Sequence, residues 1–181
     1  CQPVGVVGIV SPWNYPLQLL LAPAIGALAA GNRVLLKPSE LTPIFADVLQ
    51  QAVARHFAPT EVAVVLGDSE TAKAFVQLPF GHLVFTGSTE VGRSVASAAA
   101  RNLTPVTLEL GGKSPALVDV SADMALAARR IAGGKLLNAG QTCIAPDYAL
   151  VHRSQLDAFV QAYSDAVKAM YLDRDYLRLV V

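Results

Sequence analysis

Short runs of β-branched and aliphatic residues alternate along the chain with longer stretches in which apolar side chains recur every three or four positions. The short runs predict strands at residues 4–10, 34–37, 62–66, 83–86 and 106–108, since a strand covered on both faces reads as a continuous apolar run. Helical periodicity between them predicts helices at residues 17–30, 44–57, 69–77 and 90–100, with Pro, Gly, Ser or Thr at several of the ends. This alternation is that of an α/β protein with a Rossmann-like, mostly parallel sheet and helices on both faces. Beyond Gly111-Gly112 the pattern restarts, with strands at 116–118 and 148–152 and helices at 122–137 and 154–170. The glycine pair is therefore the expected boundary between a first domain, 1–112, and the beginning of a second α/β domain, 113–181.

Composition narrows the field. Hydrophobic residues make up 53% and charged residues 15% of the 181, so apolar surface is abundant and the chain is expected to need a further surface to bury it. Fourteen basic residues balance 14 acidic ones, which gives no electrostatic reason to expect nucleic acid or an anionic membrane as partner. The longest apolar stretch, 17–30, is interrupted by Gln18, Pro23 and Gly26 and falls short of a bilayer span. It reads as a buried helix. The chain opens at Cys1 with no Met, basic n-region or cleavage site, which reads as truncation upstream. Two cysteines, Cys1 and Cys143, make no disulfide framework and suit a reducing cytoplasm. His56, His82 and His152 match no metal-ligand spacing, so no metal is expected.

Chemistry concentrates in two segments. Asn138-Ala139-Gly140-Gln141-Thr142-Cys143-Ile144 presents one thiol on a loop of small residues after a helix. A lone cysteine is most often a small buried hydrophobe, so its context has to argue for more. Leu108-Glu109-Leu110-Gly111-Gly112-Lys113-Ser114-Pro115 supplies that context, placing the Glu109 carboxylate at the end of a strand expected to be buried. A strand-end glutamate that merely faces water is the plainer reading. Gly87-Ser88-Thr89-Glu90-Val91-Gly92 follows a strand and opens a helix, so its N–H groups can face a pyrophosphate. Thr89 stands where the usual Gly-x-Gly-x-x-Gly pattern has glycine, which weakens that signal.

Together these segments resemble the paired active-site signatures of the aldehyde dehydrogenase superfamily. Ser11-Pro12-Trp13-Asn14-Tyr15-Pro16, Leu36-Lys37-Pro38-Ser39-Glu40 and Phe85-Thr86-Gly87-Ser88 match further family motifs in the same order, so the resemblance runs over most of the chain. Cys143-Ile144-Ala145-Pro146-Asp147-Tyr148 is similar to the class 3 branch, above all to its coniferyl-aldehyde-oxidising members. The resemblance implies that residues 113–181 begin a catalytic domain and that Cys143 attacks an aldehyde carbonyl. The thiohemiacetal so formed would lose hydride to NAD, or to NADP as the second candidate, and leave a thioester. It implies the Asn14 amide and the Cys143 N–H as oxyanion donors and Glu109 as the base for hydrolysis, its basicity raised by burial. It also implies Lys37 and Glu40 on the adenosine ribose, Gly87, Ser88 and Gly92 at the pyrophosphate, and Trp13 on the nicotinamide side.

Plainer readings stand beside these. Asn14 before Tyr15-Pro16 is as well explained as a turn residue, Trp13 as a helix anchor, and Lys37 and Glu40 as a solvated lysine and a first-turn glutamate. The expected substrate is a small hydrophobic, aromatic aldehyde, and the expected parent a cytoplasmic homodimer or homotetramer. The family's Glu-x-Phe-Gly-Pro segment and its C-terminal strand have no counterpart here, and residues 171–181 match no family pattern. An acylating or semialdehyde-specific relative, or a nucleotide-binding module without turnover, therefore remain alternatives.

Overall fold

The structure, a computed structural model, describes residues 2–171. It divides into two compact units between Gly111 and Gly112. In the first, strands and helices alternate as β1 (Val6–Val10), α1 (Pro16–Ala29), β2 (Arg33–Lys37), α2 (Pro43–His56), β3 (Val62–Val64), α3 (Ser69–Phe75), β4 (His82–Gly87), α4 (Thr89–Ala100) and β5 (Val106–Leu110). The five strands form one parallel sheet in the order β3-β2-β1-β4-β5. This is a doubly wound α/β sheet, and its strand order reverses between β1 and β4.

Strand alternation sorts the side chains into two layers. Val7, Ile9, Val34, Leu36 and Val62 meet Leu20 and Ala24 of α1 and Leu49 and Val53 of α2 on one face. On the other, Leu83 and Phe85 meet Phe75 of α3 and Val95 and Ala99 of α4, joined by Val10, Leu35 and Leu108. Gly8 is bare because the Phe80 ring lies against it; a Cβ there would sit 2.6 Å from Phe80 Cε2. The first strand begins at Val6, later than the apolar run suggests, because Val4 and Gly5 donate their N–H groups to Asn32 Oδ1 (2.7 and 3.2 Å). Gly5 also turns the chain at φ +111°, a conformation open to glycine at little cost.

One expectation about this layer needs correction. Helix α1 is not buried all round: Leu20 and Ala24 are covered, but Leu17 and Ile25 are 54% and 66% exposed. Packing against a sheet covers only the stripe that faces it, and nothing among the described residues covers the remainder. No helix of the described residues is long and apolar enough to cross a membrane.

The second unit runs β6 (Ser114–Val118), α5 (Met124–Leu136), β7 (Pro146–Val151) and α6 (Leu156–Met170), with a tight turn, Arg153–Gln155, leading into α6. Strands β6 and β7 pair in parallel, with α5 as their crossover. Asp123 caps α5 by accepting the Leu126 N–H (3.1 Å), which sets the helix start two residues later than the periodicity suggests. Val118, Ala128 and Phe159 form the core, with Ala149 and Val151 packed on it. The opposite face is bare: Leu117, Leu150 and Tyr148 are 77%, 55% and 47% exposed. Parallel sheets are ordinarily covered on both faces, so the expected excess of apolar surface is found here. Residues 172–181 lie outside the described residues.

Candidate active site and cofactor cleft

In the first unit β1 and β2 end side by side, and β4 and β5 run two residues further before ending side by side. Val10 pairs with Lys37 on one side and Phe85 on the other, and Gly87 with Leu110. The loops that leave this edge carry the Trp13-Asn14 pair after β1, Glu40 after β2 and Ser88 after β4. Register decides which face each strand-end side chain joins. Lys37 shares the α3/α4 face with Val10, and Gly87 shares it with Phe85. Glu109 pairs with Thr86 and alternates with Leu108, which puts it on the opposite face, together with the loop from β1 into α1. The groups expected at the adenosine and pyrophosphate thus lie on one face of the sheet, and the chemical groups on the other. The strand order reverses between β1 and β4, and in open α/β sheets such a switch point is the usual place for a ligand.

Lys37 is not solvated. It is 1% exposed, and its Nζ donates to Pro38 O at 2.8 Å. Burial holds the ammonium below its ordinary range, while Glu40 and then Asp68 pull it back up. Among the described residues Pro38 O is the acceptor Nζ meets, although an ammonium carries three donors. Glu40 is exposed. Asp68, which the motifs did not single out, caps α3 by accepting the N–H groups of Glu70 (3.1 Å) and Thr71 (3.0 Å). The bond from the Thr71 N–H, then that from its hydroxyl, holds the Asp68 carboxyl below its usual range.

Ser88 caps α4, its Oγ accepting the Val91 N–H at 3.3 Å, and the hydroxyl keeps its own proton to donate. The first N–H groups of such a helix have no partner within it. Gly87 is bare because a Cβ would lie 2.5 Å from Phe85 Cζ, and Gly92 because a Cβ would lie 2.7 Å from Leu110 Cδ2. Gly92 therefore brings α4 close to β5. Asn14 is half-buried and Trp13 is 45% exposed. Ser11, at the end of β1, has a buried Oγ without a hydrogen-bond partner among the described residues, a feature that no local sequence signal announces.

Glu109 departs from expectation: it is exposed, as is Thr107 on the same face. The physical reason is that β5 is an edge strand, while α1 and α2 pack over β1, β2 and β3.

Cys143 belongs to the second unit. Helix α5 ends at Leu136, and Asn138 (φ 49°), Ala139 (φ 57°) and Gly140 (φ 76°) follow in the left-handed region. Asn and Gly accept that conformation readily, whereas for Ala139 it costs about 1–2 kcal/mol. Strain of this kind gathers at functional sites. The chain then turns again, Ala145 donating its N–H to Thr142 O at 3.1 Å, so that Cys143 and Ile144 occupy the turn's two central positions. The Cys143 thiol is free and exposed.

These features fit a dinucleotide. The switch point of a doubly wound sheet is the usual site for one. A buried ammonium with donors to spare suits a ribose hydroxyl, and the start of α4, kept close by Gly87 and Gly92, suits a pyrophosphate.

Fold and site together define a doubly wound α/β unit, of the kind whose switch point suits a nucleotide, followed by an α/β unit that bears an exposed thiol. Comparison with known proteins makes the class specific. A model of the aldehyde dehydrogenase family matches residues 1–177, which corrects the expectation that the stretch from 171 onward matches no family pattern: the match runs on through 177. The chain is 57% identical over 170 residues to the probable coniferyl aldehyde dehydrogenase of Pseudomonas aeruginosa, covering 94% of this chain and 36% of that protein. A substrate-bound state of Staphylococcus aureus AldH is similar at TM-score 0.93 and 46% identity, over 96% of this chain and 38% of that one. A Mycobacterium tuberculosis aldehyde dehydrogenase complexed with NAD+ is similar at TM-score 0.85 and 40% identity, over 92% and 35%. The chain belongs to the aldehyde dehydrogenase family. It spans about a third of the length of these relatives.

Proposed function

We propose that the protein of which this chain is a part oxidises a hydrophobic, aromatic aldehyde to its carboxylic acid, with NAD as preferred cofactor and NADP as the weaker one. The observation that carries the reading is the free, exposed Cys143 at the centre of a turn that a left-handed stretch sets up. A relative named for coniferyl aldehyde supports the substrate class, and a neighbour complexed with NAD+ supports the cofactor.

Residues 1–112 act as the dinucleotide-binding domain and residues 113–181 as the start of the catalytic domain. Lys37 donates to, and Glu40 accepts from, the adenosine ribose hydroxyls. Ser88 and the first N–H groups of α4 hold the pyrophosphate, Gly87 and Gly92 keep that helix start close to the sheet, and Trp13 walls the nicotinamide side. When bound, the cofactor supplies a hydride acceptor. The Cys143 thiolate adds to the carbonyl carbon to give a thiohemiacetal, whose oxyanion the Asn14 amide and the Cys143 N–H stabilise. Oxidation of this adduct leaves a thioester on Cys143. Glu109 takes a proton from water as that water attacks the thioester, the carbon–sulfur bond breaks, and the acid is released with Cys143 returned as thiolate. Glu109 also favours hydrolysis over transfer to another acceptor, which would need no water-activating base.

The test is a steady-state assay of the intact parent with coniferyl aldehyde and NAD beside its Cys143→Ala variant. The variant is expected to lose aldehyde oxidation while its NAD affinity stays within about twofold of wild type, since no contact to the cofactor is removed. Residual turnover above the uncatalysed background refutes the assignment of Cys143.

A further inference from the structure

The nucleophile's loop leaves α5 and returns at β7, and both of its feet rest on two consecutive residues of α5. At the first foot, Gly140 lies against Lys135: a Cβ there would sit 3.1 Å from Lys135 O and 3.6 Å from Lys135 Cε. At the second, Pro146 lies against Gly134, where a Cβ would meet Pro146 Cδ at 3.3 Å. The Lys135 side chain bridges the two. Its stem passes Gly140, and its Nζ stands 3.9 Å from Asp147 Oδ1. Lys113, in the segment that enters β6, approaches the same oxygen at 3.3 Å. One carboxylate thus gathers the start of β6, the last turn of α5 and the start of β7 around the loop's base.

We propose that Lys135 and Asp147 are positioning residues that clamp the base of the Cys143 loop and hold its left-handed entry, Asn138 to Gly140, in the conformation that presents the thiol. The clamp rests on the assignment of Cys143 as nucleophile. Without the clamp, the loop whose entry holds Ala139 in the left-handed region loses the ion pairs that join its base to α5 and to the start of β6. Asp147 matters more than either lysine, since its loss removes both ion pairs and the loss of Lys135 leaves Lys113 in place. Glycine at 134 and 140 is part of the same device, as a Cβ at either would lie 3.3 Å from Pro146 Cδ or 3.1 Å from Lys135 O and require its neighbour to shift.

The experiment compares Lys135→Met, Asp147→Asn and Lys135→Arg in the intact parent. Amide exchange of residues 138–146 is followed by mass spectrometry without substrate, and the pre-steady-state rate of NADH formation is measured with aldehyde and NAD. Local exchange is expected to rise about fivefold in Lys135→Met, the scale of a partly exposed ion pair, and further in Asp147→Asn. Acylation is expected to slow by about tenfold or more, as small misplacements of a reacting group do, with the NAD dissociation constant unchanged. Lys135→Arg restores both. Exchange and acylation at wild-type values in both variants overturn the clamp, as does a general rise in exchange across β6, β7 and α6, which marks a merely structural role. Should either variant fail to fold, the other and the arginine replacement still decide. Cys143→Ala separates the two ideas: turnover surviving in that variant removes the nucleophile, whereas a dead Cys143→Ala beside wild-type-like clamp variants removes the clamp alone.

Discussion

Replacing Lys37 with methionine sets stability against function, and the buried position of this ammonium fixes the direction of each. The side chain is fully enclosed and its charge answers to one hydrogen bond, to Pro38 O, with Glu40 and Asp68 nearby. A charge-assisted bond of this kind is worth about 1.5–3 kcal/mol, while burying an ion costs several kcal/mol. Methionine keeps most of the volume and removes the charge, so a net stabilisation of about 1 kcal/mol is expected, or about 3 °C in Tm. The pH dependence follows from the depressed pKa. The unfolded chain holds this proton up to the ordinary 10.5 and the folded chain loses it sooner, so through that window the unfolded state binds more protons and wild-type stability rises with pH. Below the window the burial penalty is complete. The advantage of Lys37→Met should therefore be full at pH 7 and shrink as pH climbs toward 10.5. Cofactor binding should move the other way, with NAD bound about 10- to 150-fold more weakly for want of one charged donor to the ribose. Urea denaturation of both proteins at pH 7 and pH 10, with calorimetric titration of NAD, measures all three quantities. A variant that is several degrees less stable and binds NAD as wild type does would refute both the penalty and the ribose contact.

Three further outcomes are expected in the intact parent. Glu109→Gln should form the acyl-enzyme but hydrolyse it slowly, giving a stopped-flow burst of NADH near one per active site and an acyl group on Cys143 by mass spectrometry; loss of the burst would show that Glu109 is needed before hydride transfer. Glu40→Gln should raise kcat/KM with NADP relative to NAD by about tenfold, because the exposed carboxylate repels a 2′-phosphate; an unchanged ratio in steady-state kinetics excludes it as the selector. Gly92→Ala places a Cβ 2.7 Å from Leu110 Cδ2 and should cost about 1–2 kcal/mol by overpacking α4 against β5, read as a lower Tm; a wild-type Tm would mean that Leu110 swings aside without cost.

The elements of this fold were legible in the chain because each is a local matter. The apolar run at 34–37, the periodicity of 44–57 and the proline and glycine punctuation place β2, α2 and their neighbours within a few residues of where they stand. Boundaries moved where a distant partner intervened, as when Asn32 took the N–H groups of Val4 and Gly5 and delayed β1. The motifs that contain Asn14, Lys37, Ser88, Glu109 and Cys143 also made the family readable, since chemistry restricts residue type at fixed spacing. What the sequence could not supply was environment. Lys37, whose plainer reading was a solvated lysine, is buried; Glu109 read as buried and is exposed; and α1 read as enclosed and is covered along one stripe. Burial depends on which strand lies at an edge and which helices reach over it, and that is decided by strand order, a property of contacts far apart in the chain. Strand register likewise set Lys37 and Glu109 on opposite faces of one sheet. The Lys135–Asp147 contact has the same origin, because two residues separated by a loop become partners only once α5 and β7 have packed together.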